Sequence, residues 1–168
     1  MTDVLERASR GQPIAWTELR PWIQATGAEM EDLRQAADSL RQDLAGDLVT
    51  YVVNRNINFT NVCVKSCRFC AYARGFRSEQ AYRLPVEEVL RRAQEAWDLG
   101  ATEICLQAGL APELTGQDYV DLCRALKTAL PEMHLHAFSP EEIKFGALRS
   151  GWSPEEQLKR LQDVGLDS

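Results

Sequence analysis

Three of the chain's five cysteines stand close together in the segment NFTNVCVKSCRFCAYAR. Cys63, Cys67 and Cys70 follow the spacing Cys-x3-Cys-x2-Cys. Thiolates are the ligands of structural zinc and of iron–sulfur clusters, and closed sites of both kinds normally use four ligands. The segment supplies three. It therefore predicts a metal site whose fourth position is either filled from far along the chain, by Cys105, Cys123 or a histidine, or left open for a substrate or cofactor.

The composition narrows the class of protein to which this segment belongs. The chain has 168 residues, 45% of them hydrophobic and 26% charged, as in an ordinary globular domain. Its 19 basic and 25 acidic residues give a net charge of −6, which argues against binding nucleic acid or an anionic membrane. The N-terminus MTDVLERASRGQP has charges where a signal peptide is apolar. We therefore expect a cytoplasmic protein, in which clustered cysteines more often bind metal than form disulfides.

The elements that must position the cysteines follow from the hydrophobic periodicity. Residues 1–46 read as a helical segment, with apolar residues three and four positions apart in EMEDLRQAADSLRQDLAG. The β-branched stretch DLVTYVVNRNINFT, residues 47–60, predicts a strand that leads into the cysteine loop. Two further short strands, TEICLQAG and MHLHAF, alternate with the amphipathic helices PVEEVLRRAQEAWDLG and GQDYVDLCRALKTALP. We expect TEICLQAG to be buried on both faces of a parallel sheet.

The sequence Ser-Pro-Glu-Glu occurs twice, beginning at Ser139 and at Ser153, and in each place it predicts the start of a helix. Each places a serine at the N-cap, proline at the first helical position and glutamate at the third, which is the pattern of a capping box. The order of elements is then helices, strand, helix, strand, helix, strand, helix, as expected for a parallel sheet with right-handed crossovers.

The motif Cys-x3-Cys-x-aromatic-Cys, with Phe69 as the aromatic residue, resembles that of the radical S-adenosylmethionine (SAM) superfamily. The resemblance implies that Cys63, Cys67 and Cys70 hold three irons of one 4Fe-4S cluster and that SAM binds the open iron. Reduction by the cluster then cleaves SAM to methionine and a 5′-deoxyadenosyl radical. It also implies the fold class: an α/β chain that forms the N-terminal part of a radical SAM partial (β/α) TIM-type barrel, preceded by a short helical segment.

Three longer segments narrow the resemblance: YVVNRNINFTNVCVKSCRFCAYAR, GATEICLQAGLAPE and HLHAFSPEEI are similar to the CofH-type subunit of FO synthase, of deazaflavin coenzyme biosynthesis. That family implies a transferase that joins the 4-hydroxybenzyl group of L-tyrosine to 5-amino-6-(D-ribitylamino)uracil. It implies a second radical SAM subunit of FO synthase as functional partner, and an electron donor. Enzymes of the futalosine route to menaquinone share the scheme, so they remain an alternative, as does a non-catalytic iron–sulfur or zinc-binding remnant.

The resemblance assigns further residues to the cofactor. Phe69 stands at the aromatic position near the SAM adenine, and Gln107, Ala108 and Gly109 stand where the family places the turn that receives the SAM amino group. The segment LQAG departs from the more usual LQGG, so this contact would be made through backbone groups. His136 is expected at the substrate end of the barrel.

Other polar and cysteine positions admit more than one interpretation. His134 and His136, two apart on a strand, face the same side; they are metal ligands, substrate contacts or satisfied interior groups. Asn54, Arg55 and Asn58 are either an exposed strand end or contacts in the barrel mouth. We expect Cys105 and Cys123 to be small buried hydrophobes. Solvated loop charges are expected at four arginines: Arg68, Arg74, Arg77 and Arg83.

The predicted domains are a helical segment at 1–46 and three β/α units at 47–168. Full barrels of this type need about 250 residues, and the sequence ends at LQDVGLDS, where a fourth strand is expected. The chain is therefore expected to be the N-terminal portion of a longer enzyme, without the C-terminal half of the barrel.

Overall fold

The computed structural model of the chain describes residues 2–65 and 67–168. The chain forms two compact units, one reaching to Tyr51 and the other running from Val52 to Ser168. Among the described residues, no helix is both long enough and apolar enough to cross a lipid bilayer.

The first unit is built from helices, which confirms the helical prediction for this part of the chain: α1 (Thr2–Ser9), α2 (Trp16–Ile23) and α3 (Ala28–Ala45). Arg7 of α1 donates two hydrogen bonds, of 2.8 and 3.0 Å, to the carboxylate of Glu18 on α2. This bidentate pair lowers the pKa of Glu18 to about 2. The apolar stripe of α3 is only half-buried, at Leu33 and Leu40 in a groove shared with α1.

The second unit alternates strands and helices along the chain. Its elements are β1 (Asn54–Asn58), α4 (Val86–Asp98), β2 (Glu103–Gln107), α5 (Gly116–Ala129), β3 (His134–Ala137), α6 (Pro140–Ser150) and α7 (Pro154–Asp163). The strands lie in the order β1-β2-β3 and both pairs are parallel. The predicted α/β fold with parallel strands is confirmed, and helices lie in each connection, as parallel crossovers require.

The sheet has one apolar face and one mixed polar face. Ile57, Ile104, Leu106, Leu135 and Ala137 are buried in a core that they share with the helices. The side chains between them alternate to the other face, which carries rows set by the register: Asn54, Glu103 and His134 in one row, Asn56, Cys105 and His136 in the next, then Asn58 with Gln107.

Two details of the strand predictions are wrong. TEICLQAG is buried on one face only, because its alternate positions are Glu103, Cys105 and Gln107, which lie on the mixed polar face. The first strand does not extend over residues 47–60. It pairs only at Asn54–Asn58, since its partner strand is itself five residues long. Leu48 and Val49 are exposed.

Candidate functional site

The three clustered cysteines lie on the loop that connects β1 with α4, and two buried residues at its start hold its far end. The Thr60 hydroxyl donates to the carbonyl of Tyr82 (2.7 Å). The Asn61 amide group donates to the carbonyl of Gln80 (2.9 Å), and its oxygen accepts from the backbone N–H of Tyr82 (2.8 Å). Sequence reasoning missed both residues. Their signal is the polar pair Thr-Asn, which begins two residues after the last residue of β1.

Arg74 organises the middle of the same loop. Its carbonyl accepts from the backbone N–H of Cys63 (3.0 Å). Its guanidinium donates to the carbonyls of Ala71 (2.8 Å) and Ala73 (2.9 Å) and to the side-chain oxygen of Gln80 (2.9 Å). The expectation of a solvated loop charge is therefore wrong for Arg74. The loop is cross-linked by hydrogen bonds although those of its residues that the structure describes form no regular helix or strand.

All five cysteines are free thiols. Cys63 and Cys70 are half-buried and Cys67 is exposed. The N–H of Lys65 donates to Cys63 Sγ (3.4 Å), and the N–H of Cys70 donates to the carbonyl of Cys67 (3.1 Å). The first of these bonds is accepted by a sulfur and the second by a backbone carbonyl, and both fix the backbone around the cysteines.

The donor set fits a thiolate-bound cluster in kind and in number. Three thiols stand on one anchored loop, and none is consumed by a disulfide. In residues 2–65 and 67–168, no three histidine, cysteine, aspartate or glutamate side chains converge as ligands of a single ion. The loop thus brings the three cysteines into one segment without closing their side chains around a common point. Phe69, the aromatic residue of the motif, is 93% exposed.

The turn at the end of β2 is tied to the cysteine loop and to α6. The N–H of Gly109 donates to the carbonyl of Thr60 (2.8 Å), and the N–H of Val64 donates to the carbonyl of Leu110 (3.0 Å). Gly109 lies so close to the loop that an added Cβ would stand 2.2 Å from the Val62 carbonyl oxygen. The N–H of Ala108 donates to a carboxylate oxygen of Glu142 on α6 (3.0 Å). Residues 107–109 and the cysteine loop therefore form one hydrogen-bonded assembly.

His134 and His136 share the mixed polar face, as predicted from their spacing. Both rings are hydrogen-bonded to the Ser168 hydroxyl, each at 2.9 Å. His134 Nε2 also lies 3.8 Å from a Glu103 carboxylate oxygen. Cys105 stands beside His136 in the register and is half-buried, so the expectation that it is a core hydrophobe is wrong.

Two other predicted positions point away from this assembly. The Arg55 guanidinium donates to Glu95 of α4 (2.7 Å), so Arg55 lies on the helical side of the sheet, apart from Asn54 and Asn58. Cys123 is buried in the core, as expected, and burial raises the pKa of its thiol to about 12.

Comparison with known proteins places the chain in a family. Residues 57–168 match the family model described as the Radical SAM superfamily. FO synthase of Mycobacterium leprae is 50% identical over 171 residues, which cover 99% of this chain and 20% of that protein. The 5-amino-6-(D-ribitylamino)uracil–L-tyrosine 4-hydroxyphenyl transferase of Microcystis aeruginosa is 41% identical over 174 residues, covering 100% of this chain and 46% of the relative.

Two solved structures share the fold of this chain. Methylornithine synthase superposes with a TM-score of 0.64 at 20% identity, over 97% of this chain and 56% of that structure. A hydrogenase maturase, HydG, superposes with a TM-score of 0.66 at 16% identity, over 99% of this chain and 44% of that structure. This chain thus spans less than half the length of the two curated relatives named above. Its cysteine motif, its parallel α/β unit and the family match over residues 57–168 establish that the chain belongs to the radical SAM superfamily.

Proposed function

We propose that this chain carries the cofactor-binding edge of a transferase that joins the 4-hydroxybenzyl group of L-tyrosine to 5-amino-6-(D-ribitylamino)uracil. The observation that carries the proposal is the assembly of the cysteine loop with the turn at Gln107–Gly109, joined through the Gly109 N–H and the Thr60 carbonyl. A cluster loop and a cofactor turn have to be fixed relative to each other for one to act on a molecule held by the other.

In this proposal Cys63, Cys67 and Cys70 hold a 4Fe-4S cluster as thiolates, and one iron remains open for the amino and carboxylate groups of SAM. When bound, the cluster and SAM supply one-electron chemistry that starts hydrogen abstraction from a substrate. The residues of this chain bind the cluster and SAM and orient them. Phe69, exposed on the loop, offers an apolar surface for the adenine, and backbone groups of residues 107–109 receive the amino group of SAM.

The substrate assignment rests on the relatives. The Microcystis aeruginosa relative is named as the tyrosine transferase, and its 41% identity extends over the whole of this chain. The mixed polar face of the sheet supports a polar substrate. It carries His136, Asn56 and Asn58 near the carboxyl ends of the strands, which is the end at which the cysteine loop leaves β1. We assign His136 to substrate or cofactor contact. In this reaction the Cα–Cβ bond of tyrosine breaks, the hydroxybenzyl carbon bonds to the uracil and the rest of tyrosine leaves as 2-iminoacetate.

The partners in this proposal are an electron donor and the second radical SAM subunit of FO synthase, whose activity consumes the adduct. The relatives named FO synthase are about five times as long as the matched segment, since it covers 20% of the Mycobacterium leprae protein. The compartment that we propose is the cytoplasm, because all five cysteines are free thiols and thiolate ligands need reducing conditions.

The test supplies an anaerobically reconstituted full-length version of the protein with SAM, a reductant, ring-labelled tyrosine and 5-amino-6-(D-ribitylamino)uracil. We expect an adduct that carries the labelled hydroxybenzyl group, together with 5′-deoxyadenosine, detected by mass spectrometry. Cys67→Ala should abolish the adduct, whereas Cys123→Ala, in the core and away from the loop, should retain it. Turnover of a futalosine-route substrate with no turnover of tyrosine would assign the protein to the sister enzymes instead.

A further inference from the structure

The two Ser-Pro-Glu-Glu helix starts have the same sequence but different structures. At α7 the N–H of Glu156 donates to the Ser153 hydroxyl (3.1 Å), while the exposed Glu156 carboxylate pairs with Arg160 (2.7 Å). At α6 the capping box is closed in both directions. The N–H of Glu142 donates to the Ser139 hydroxyl (3.3 Å), and the N–H of Ser139 donates to the Glu142 carboxylate (2.8 Å).

The carboxylate of Glu142 is buried, with only 3% of the residue exposed. One oxygen accepts from the N–H and the hydroxyl of Ser139, and the other accepts from the N–H of Ala108 (3.0 Å). Burial raises the pKa of Glu142, although these hydrogen bonds act in the opposite direction. Burying a carboxylate is unfavourable unless its oxygens are satisfied. A closed capping box alone does not require that burial, because Asp118 closes the box at the start of α5 with its side chain 38% exposed.

The bond to Ala108 joins the turn at the end of β2 to α6, and a separate bond joins the turn to the cysteine loop. Ala108 is held by Glu142 through its N–H, and the next residue, Gly109, is held by the Thr60 carbonyl through its own N–H (2.8 Å). The turn is thus fixed at two successive amides, one by α6 and one by the loop. Removal of either bond frees that side of the turn.

We infer that Glu142 is a positioning residue, which fixes the turn of residues 107–109 so that its backbone groups meet the amino group of SAM. The inference rests on the proposed function for its choice of ligand. It goes beyond that proposal by making a helix cap of α6 part of the support for the cofactor turn. For comparison, loss of a group that orients a metal ligand typically costs 10–100-fold in metal affinity or activity.

The chain supplies a variant that separates capping from positioning. α5 closes its own capping box with an aspartate at the same position, since the N–H of Thr115 donates to the Asp118 carboxylate (2.8 Å). Glu142→Asp should therefore keep both the cap and the charge of α6, while the side chain, shorter by one methylene, no longer reaches Ala108. The converse variant, Ser139→Ala, removes the capping hydroxyl and leaves the Ala108 bond in place.

The experiment compares wild type, E142D, S139A and the surface control E156D in two measurements. The first is amide hydrogen exchange at Ala108 in the protein before cluster reconstitution. The second is the SAM dissociation constant, taken from a titration of the reduced cluster by electron paramagnetic resonance (EPR), with iron content measured in parallel. For E142D we expect faster exchange at Ala108, unchanged iron and SAM binding weakened about tenfold. For S139A we expect a lower melting temperature and wild-type SAM affinity, and E156D should match wild type.

Unchanged exchange and unchanged SAM affinity in E142D would overturn the inference. Equal weakening of SAM binding in S139A and E142D would also overturn it, because the effect would then come from the helix start. A wild-type cluster that does not respond to SAM would refute the cofactor assignment under the proposed function. In that case the Ala108 exchange still decides separately whether Glu142 holds the turn.

Discussion

Replacing Gly109 by alanine is expected to force the turn after β2 away from the cysteine loop. A Cβ at this position would stand 2.2 Å from the carbonyl oxygen of Val62 and 2.7 Å from its carbonyl carbon. Non-bonded carbon atoms prefer separations of about 3.5–4.0 Å, so the two segments have to move apart by about 1 Å. Both are backbone, so rotation of a side chain cannot relieve the contact.

The cost has two parts. Overpacking of this kind costs about 1–3 kcal/mol. The movement also stretches the 2.8 Å bond between the Gly109 N–H and the Thr60 carbonyl, which contributes about 0.5–1.5 kcal/mol more. We therefore expect Gly109→Ala to lower the free energy of unfolding by about 2–4 kcal/mol, which for a protein of this size lowers the melting temperature by roughly 5–15 °C.

The assay is urea unfolding followed by circular dichroism, with Gly75→Ala as the matched control. Gly75 lies on the same loop, and a Cβ there would meet nothing within 4 Å. Gly75→Ala should remain within about 0.5 kcal/mol of wild type, or gain slightly through the restricted unfolded chain. Equal unfolding midpoints for the two variants would refute the close approach of Gly109 to the loop.

Three further predictions test other parts of the structure. In the native protein before cluster reconstitution, iodoacetamide at pH 8 should label exposed Cys67 rapidly and Cys123 only after denaturation, because burial raises the pKa of Cys123 to about 12; equal labelling rates by peptide mass mapping would contradict this. Asn61→Ala should remove two part-buried hydrogen bonds that hold the loop, at about 0.5–1.5 kcal/mol each, and so speed proteolysis within the loop; an unchanged cleavage rate would contradict it. Since Arg7 lowers the pKa of Glu18 to about 2, the stability that this pair contributes is present above the ordinary glutamate pKa and lost as pH falls toward 2. In Glu18→Gln the stability of the helical unit should therefore fall less steeply as the pH is lowered below the ordinary glutamate pKa. An unchanged pH dependence would show that the pair does not stabilise this unit in solution.

The elements of the second unit could be predicted from the sequence because each carries its own local signal. The apolar period marks α4 and α5, and the serine caps mark the starts of α6 and α7 where the structure has them. The strand at residues 47–60 was predicted too long, because β-branched composition favours a strand but only a paired partner makes one. That partner, β2, is five residues long.

The site could be predicted only where chemistry and spacing coincide in one segment. Three cysteines within a single loop are visible in the sequence, and so is the glycine at the end of β2. The contact between Gly109 and Val62 spans distant parts of the chain, so no local pattern carries it. Likewise the two Ser-Pro-Glu-Glu starts are identical in sequence, and only the fold distinguishes buried Glu142 from exposed Glu156.

The proposed function requires that Cys63, Cys67 and Cys70 hold a cluster with one iron open to SAM. The deciding measurement is the EPR spectrum of the reduced, reconstituted protein with and without SAM. We expect a 4Fe-4S signal that changes when SAM is added, is lost in Cys67→Ala and persists in Cys105→Ala. A spectrum indifferent to SAM, or loss of iron from Cys105→Ala, would contradict it, since the cluster would then have a fourth protein ligand and no open position.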